Sequence, residues 1–163
     1  MKRPILFWSA IVGFVGIAAA MTFVAWSTVG GVRREAARND ARLRELAWSV
    51  IAYADAHGGF PLSSDELRAF AAPEVLSPEV LSLEAPAGAR FPTSRAATAY
   101  DAETPPPSPP PAIDECLGSF DVEWGLARDV QPILRSKGKP TLQGTGTTVG
   151  QWLHAMSERI RGG

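Results

Sequence analysis

Residues 5–32 carry no Asp, Glu, Lys or Arg, and most of them are Ile, Leu, Phe, Trp, Val, Ala or Gly. A helix of roughly 20 such residues, each rising about 1.5 Å, matches a bilayer hydrocarbon core of about 30 Å. The stretch therefore predicts a transmembrane helix, with Trp8 and Trp26 near the two membrane interfaces. We assign residues 1–31 to this transmembrane anchor, and its expected partner is the membrane lipid bilayer.

A cleaved signal peptide is the competing interpretation of the same residues. Lys2 and Arg3 make a short basic start, and the small residues 18–20 could serve as a cleavage site. Residues 21–26 stay apolar beyond that site, however, which a mature N-terminus in water has no reason to be. We therefore favour an uncleaved, single-pass anchor in the cell (inner) membrane.

The rest of the chain is long enough for one small domain, because about 130 residues can bury a single core. The 16 basic and 17 acidic residues nearly balance, so no net field recruits nucleic acid. The single cysteine, Cys116, excludes an intramolecular disulfide and a multi-cysteine zinc site. We expect no nucleic-acid partner, no metal and no cofactor.

Residues 32–57 are expected to form one long helix with two different halves. No proline or glycine interrupts residues 32–56, and the second half carries apolar residues at helical spacing. The first half, residues 33–44, is polar nearly all round and predicts a solvated stalk held by charge pairs. The predicted packing face consists of Leu43, Leu46, Ala47, Val50, Ile51 and Ala54.

The end of this helix and the start of the next one are marked by specific residues. Gly58 can adopt the left-handed conformation that ends a helix, and Pro61 cannot continue it. Ser63 is the expected N-cap of a second, short helix, with Glu66 in the capping-box position. Pro73 is expected to close that helix.

Residues 58–163 predict a small α+β head in which antiparallel strands cover the long helix. Alternation suggests strands at residues 81–85, 89–93 and 119–125, with a strand or turn at residues 130–134. A proline-rich loop covers residues 104–112. A final helix, capped by Thr147 or Thr148, should bury Val149, Trp152, Leu153 and Met156.

Few residues suggest catalysis or ligand binding. His57, His154 and Cys116 show no arrangement of nucleophile, base and orienting group, and Cys116 reads as a small core residue. The pair Asp121 and Glu123 is what any solvated strand face shows. Gly144 and Gly146 lack the Lys of a phosphate-binding loop. We therefore predict no catalytic, cofactor-binding or metal-ligating residue, and no enzyme activity.

One segment is similar to a known family. The residues in question are Tyr53, then His57-Gly58-Gly59-Phe60-Pro61, then Ser63-Ser64-Asp65-Glu66-Leu67. Following an apolar N-terminal helix, this segment resembles type IV pilins and the major pseudopilin of type II secretion. The resemblance implies a pilin-like fold, with a membrane helix that continues into a long helix packed on a small antiparallel sheet.

The resemblance stops at the processing site. Pilins carry an acidic residue at the fifth mature position inside the membrane, whereas the nearest string here, residues 13–18, places Ala18 there. An intramembrane carboxylate is costly and has a function where it occurs. The chain therefore resembles a pilin in shape and lacks the prepilin cleavage motif.

The orientation follows from two opposed arguments. Arginines after the apolar stretch, from Arg33 onward, would keep the C-terminal part in the cytoplasm. The resemblance favours export, and we predict an extracytoplasmic C-terminal domain. The predicted function is that of a membrane-anchored structural or interaction protein, accessory to a secretion or pilus-type assembly. An anchored ligand- or peptide-binding module is the alternative, and an enzyme comes third.

Overall fold

The computed structural model describes residues 3–83, 91–92, 94–95, 109–142 and 144–163. Its helices are α1 (Arg3–His57), α2 (Ser64–Arg68), α3 (Pro78–Leu81), α4 (Ile113–Ser119) and α5 (Thr145–Gly162). Its strands are β1 (Phe120–Glu123) and β2 (Ile133–Ser136), which form a two-stranded antiparallel sheet. The α+β class is therefore confirmed. The chain divides into two compact units, Met1–Glu35 and Ala36–Gly163.

The membrane-spanning helix predicted for the first unit is not found among the described residues. Within the ranges that the structure describes, no helix is both long enough and apolar enough to cross a membrane. This finding overturns the transmembrane anchor predicted for residues 1–31 and, with it, the single-pass inner-membrane location with an extracytoplasmic C-terminal domain. That prediction depended on the lack of charge in residues 5–32, whose helical conformation the structure does show.

The core of the second unit is built on one face of α1. Leu46, Val50, Ile51 and Ala54 are fully buried at positions i, i+4, i+5 and i+8, on the one helical face that the apolar pattern predicted. The same hydrophobic cluster includes residues from each of the shorter helices and from β1. Large buried side chains among them are Leu67, Val80, Phe120, Trp152 and Met156, and Phe60 joins the cluster from the connection between α1 and α2.

The predicted solvated stalk is wrong from Ala36 onward. Arg33, Arg34 and Glu35 are exposed, but Asn39 and Asp40 have only 1% and 4% of their surface exposed. The buried face of α1 therefore continues toward the N-terminus with polar side chains in place of apolar ones. Polar groups tolerate burial when each finds a hydrogen-bond or ionic partner.

Four residues form this polar seam: Asn39, Asp40, Arg44 and Glu45. The amide of Asn39 donates to the carbonyl of Pro140 at 3.1 Å, and Glu45 binds the guanidinium of Arg95. Arg44 pairs with Asp40 at 2.6 Å. Burial raises the pKa of Asp40, although Thr145 and Arg44 both act to lower it. The sequence pattern does not reveal these partners, because Pro140 and Arg95 are far along the chain.

A second ionic contact ties the end of α1 to α3 and α5. The carboxylate of Asp55 accepts hydrogen bonds from the Ser77 amide and hydroxyl, both at 2.8 Å, and from Arg159 at 3.1 Å. Burial alone would raise the pKa of Asp55, but the hydrogen bonds from Ser77 and Arg159 outweigh it and lower that pKa. The ionised carboxylate is therefore the form that the fold prefers.

The end of α1 follows the prediction. Gly58 has a φ of 68°, the left-handed conformation that a glycine adopts without strain. A Cβ on Gly59 would lie 2.7 Å from the Cβ of Arg128, so only glycine fits there. The next amide, that of Phe60, donates to the carbonyl of Arg128 at 2.7 Å. The glycine pair thus brings the chain against the segment after β1.

The cap of α2 is confirmed as well. The Ser63 hydroxyl accepts from the Glu66 amide at 3.3 Å, and the Glu66 carboxylate accepts from the Leu62 amide at 3.2 Å. The helix ends at Arg68, before Pro73, which was expected to close it.

The strand expected at residues 81–85 is wrong where the structure describes it. Ser77 caps α3, Pro78 occupies its first turn, and Leu81 is its last residue, so the local capping chemistry favours a helical turn. Glu84 and Ala85 lie outside the described residues. Of the strand expected at residues 89–93, only residues 91 and 92 are described, and they are not in a strand. Residues 104–108 of the proline-rich loop also lie outside the described part.

The strand expected at residues 119–125 is confirmed as β1, with Phe120 buried and Asp121 and Glu123 exposed. Its partner β2 begins three residues later than the expected strand or turn, with Val122 opposite Leu134. The reason is a turn in which the Val130 amide donates to the carbonyl of Ala127 at 3.1 Å.

Two helix starts were not anticipated. Helix α4 was not predicted, although Ile113, Cys116 and Leu117 have helical spacing and acidic residues follow its start. Helix α5 begins at Thr145 after the left-handed Gly144, so neither Thr147 nor Thr148 is its N-cap. Instead, the hydroxyl of Thr148 donates back to the Gly144 carbonyl at 3.1 Å. The predicted apolar face of Val149, Trp152, Leu153 and Met156 is buried.

Two glycine substitutions should have opposite effects on stability. A Cβ at Gly125 would lie 2.3 Å from the Val130 carbonyl oxygen, so Gly125→Ala should lower the free energy of unfolding by about 1–3 kcal/mol. Gly150 lies within α5 with open space around it, so Gly150→Ala should raise that free energy by about 0.5–1 kcal/mol. Urea unfolding of both variants measures the two effects, and equal effects would contradict the packing described.

Replacing Asp55 should have a pH-dependent cost. Its pKa is lowered from 3.8, so its stabilisation is present above that pH and is lost as the pH falls through the lower, folded-state pKa. At neutral pH, Asp55→Asn should therefore reduce the free energy of unfolding by about 1–3 kcal/mol. The difference from the parent protein should shrink as the pH falls below 3.8.

Asp121→Asn is the matched control for this experiment, since Asp121 is 68% exposed and contacts Lys137 at 3.6 Å. Its effect at neutral pH should stay within about 0.5 kcal/mol. Denaturant unfolding across the acid range supplies the measurement, and a cost for Asp55→Asn that persists unchanged at low pH would argue against the ionic role.

Candidate interaction surface

The first unit exposes large apolar side chains along one side of its helix. Phe14, Met21, Val29 and Val32 are 74%, 71%, 58% and 50% exposed. Successive spacings of seven, eight and three residues put them on one helical face. Trp26, which is 79% exposed, flanks them. We call these five residues the apolar stripe.

The size of the apolar stripe distinguishes it from scattered surface hydrophobics. A Phe or Trp side chain buries about 150–250 Å² when it is covered, so the stripe offers several hundred Å². Exposed apolar patches of this size on a soluble domain mark sites of interaction, whereas single exposed residues are ordinary. Phe23, on the other side of the helix, is 76% exposed as well. Large apolar side chains are therefore exposed on more than one side of this segment.

The second unit also exposes large apolar side chains, at Leu62, Val75, Leu126, Val130 and Ile133 among its described residues. Leu126 is fully exposed in the connection between β1 and β2, and Val130 and Ile133 are 38% and 47% exposed. Charged residues lie among them in the sequence, including Arg128 and Asp129. Leu126, Val130 and Ile133 lie in β2 and the connection before it, whereas the residues of the apolar stripe lie on one helix.

Cys116 lies in the core, as predicted. Its side chain is fully buried, and burial, with a smaller contribution from Glu45 and Glu115, raises the pKa of its thiol to about 12. Because the thiolate is the nucleophilic form, this environment disfavours reaction at the sulfur.

The two histidines are exposed, whereas Cys116 is buried. His57 is exposed and stacks on Tyr53 with ring centroids 4.1 Å apart, and its Nδ1 lies 3.0 Å from the Tyr53 carbonyl. His154 is exposed on α5. The structure thus brings together none of the three residues considered for catalysis.

The other candidate residues have structural partners. Asp121 and Glu123 face solvent and pair with Lys137 and Arg135 across the sheet, at 3.6 and 3.1 Å. Gly144 forms the start of α5. In the part of the chain that the structure describes, no group of three or more His, Cys, Asp or Glu residues could hold a metal ion.

Sequence reasoning missed a polar cluster at the end of α1. The Tyr53 hydroxyl donates to Glu66 at 2.8 Å, and Arg128 donates to both Glu66 oxygens at 3.1 Å. These bonds, with that of Tyr53 first, lower the pKa of Glu66. A buried tyrosine needs a partner for its hydroxyl, and this signal could have linked Tyr53 to the cap of α2. The cluster joins α1, α2 and the β1–β2 connection.

Comparison with known proteins found no match: no family, no curated protein and no solved structure is significantly similar to this chain. The comparisons therefore provide no evidence for the predicted resemblance to pilins or to type II secretion proteins.

Proposed function

We propose that the protein is a structural or interaction protein that associates with helices of partner proteins through its apolar stripe. The observation that carries the proposal is the exposure of Phe14, Met21 and Trp26, each above 70%, on an uncharged helical segment. A helix that is apolar on all sides is stable in water only when other chains cover it.

The two units differ in the features that suit association and folding. The second unit has its own apolar core, its own sheet and ion pairs that link distant parts of the chain. The first unit has the exposed apolar surface. The proposal therefore assigns association to the first unit and a folded, accessible head to the second.

The pilin-like part of the proposal rests on the residues from Tyr53 to Pro61 and on an α1 whose second half lies in the core of a small α+β unit. A pilin-like build implies an accessory role in a pilus- or secretion-type assembly. A membrane anchor is not part of the proposal. The alternative, a ligand- or peptide-binding module, predicts that the head contacts its ligand while the apolar stripe contacts no protein.

Site-specific cross-linking in the native cells tests the proposal. A photoreactive amino acid at position 26 should give discrete adducts with subunits of an assembly, whereas one at position 139, on the exposed Lys139, should not. Absence of protein adducts at position 26, or a single soluble ligand bound only at the head, would contradict the proposal.

Two valines of similar exposure provide matched variants. Val29 in the stripe is 58% exposed and Val75 in the second unit is 56% exposed. Covering a valine contributes about 1.5 kcal/mol or more, and about 1.4 kcal/mol changes affinity tenfold. Val29→Asp should therefore reduce the adducts at position 26 by about tenfold or more, while Val75→Asp should leave them unchanged. Equal effects of the two variants would argue against the stripe.

A further inference from the structure

Two arginines directly follow the apolar stripe. Arg33 and Arg34 are exposed, and neither makes an ion pair with any carboxylate in the described part of the chain. Arg34 instead donates from Nε to the Gly30 carbonyl at 3.2 Å. Their positive charges are therefore available to another molecule.

Most arginines of the second unit are different. From residue 42 onward, each arginine whose side chain is described lies within ion-pair distance of a carboxylate. These are Arg42, Arg44, Arg68, Arg95, Arg128, Arg135, Arg159 and Arg161. Arg33 and Arg34 make no such pair, and neither does the exposed Arg38, so the arginines without a carboxylate partner in the described part of the chain lie together just after the stripe.

Helical spacing makes Arg33 continuous with the stripe. It follows Trp26 by seven residues and Val29 by four, which puts all three on the same side of α1. A helix that covers Trp26 and Val29 would therefore also reach Arg33. Arg34 follows Gly30 by four residues and lies farther round the helix.

We propose that the partner helix carries Asp or Glu residues where it meets Arg33 and Arg34, beyond an apolar face that covers the stripe. This inference rests on the proposed function, because it specifies the partner of the same surface. Guanidinium groups bind carboxylates with charge-assisted and often bidentate hydrogen bonds, so acidic residues fit this end of the stripe.

Charge also disfavours a parallel pair of two copies of this chain. In such a pair, Arg33 and Arg34 would face their own equivalents, and like charges oppose association.

The arginines contribute selectivity more than total affinity. Exposed ion pairs contribute little each, and salt screens them, whereas the apolar contact is insensitive to moderate salt. An acidic partner should therefore bind a few times more tightly than a neutral or basic one at low salt, with the advantage lost at high salt.

Two labelled synthetic peptides test the inference with the full-length protein. Both form a helix with the same apolar Leu and Ala face, but one ends in a turn of Glu residues and the other in a turn of Lys residues. Fluorescence anisotropy should show the Glu peptide binding about 3- to 10-fold more tightly at low salt. The preference should disappear at high salt.

Reversing the charge of Arg33 tests whether this residue causes the preference for the Glu peptide. Arg33→Glu should abolish or invert it, whereas Lys139→Glu, which makes the same charge change on an exposed and unpaired side chain, should preserve it. Equal binding of both peptides would overturn the acidic-partner inference and leave the proposed function standing. Binding of neither peptide would contradict the proposed function itself. Self-association of the protein, or binding to phosphatidylserine vesicles, with no preference between the peptides would also overturn the inference.

Discussion

The burial of one face of α1 is the constraint on which the second unit depends. Leu46, Val50 and Ile51 supply the apolar centre of that face, and the polar seam extends it toward the N-terminus. Distant groups satisfy part of the seam: the Pro140 carbonyl accepts from Asn39, and the Arg95 guanidinium donates to Glu45. Asp55 closes the other end through Ser77 and Arg159. Contacts with α1 thereby position the segments around Arg95 and Pro140, the N-cap of α3 at Ser77, and α5.

The fold was predictable wherever local chemistry decides it. The Gly58 stop, the Ser63 cap and the alternation in β1 each have a cause within a few residues, and the structure has all three. The stalk and the start of α5 were mispredicted because their causes are non-local: buried polar groups of α1 find partners far along the chain, and the left-handed Gly144 replaces a side-chain cap. The spacing of Ile113, Cys116 and Leu117 is the local signal for α4, but a helix of seven residues shows only two turns of that pattern.

The candidate surface shows what a sequence pattern leaves open. The uncharged stretch of residues 5–32 indicated that something apolar must cover this helix, and lipid was the cover first expected. The structure retains the helix and the exposure of Phe14, Met21 and Trp26, while the membrane-spanning assignment does not hold for the described residues. A protein partner would satisfy the same physical requirement, and Arg33 and Arg34, which pair with no carboxylate in the described part of the chain, would add a charge preference.

The central claim is that α1 has two parts that are stabilised differently. One part is packed in the core of the second unit, and the other is an apolar segment that a partner protein covers. Amide hydrogen exchange of the isolated protein tests it most directly. Residues 43–54 should exchange only through global unfolding, while residues 14–32 should exchange about 10³-fold faster or more, since an uncovered helix opens locally. Addition of the bound partner should then slow exchange in residues 14–32. Equal protection of the two segments in the isolated protein would contradict the account.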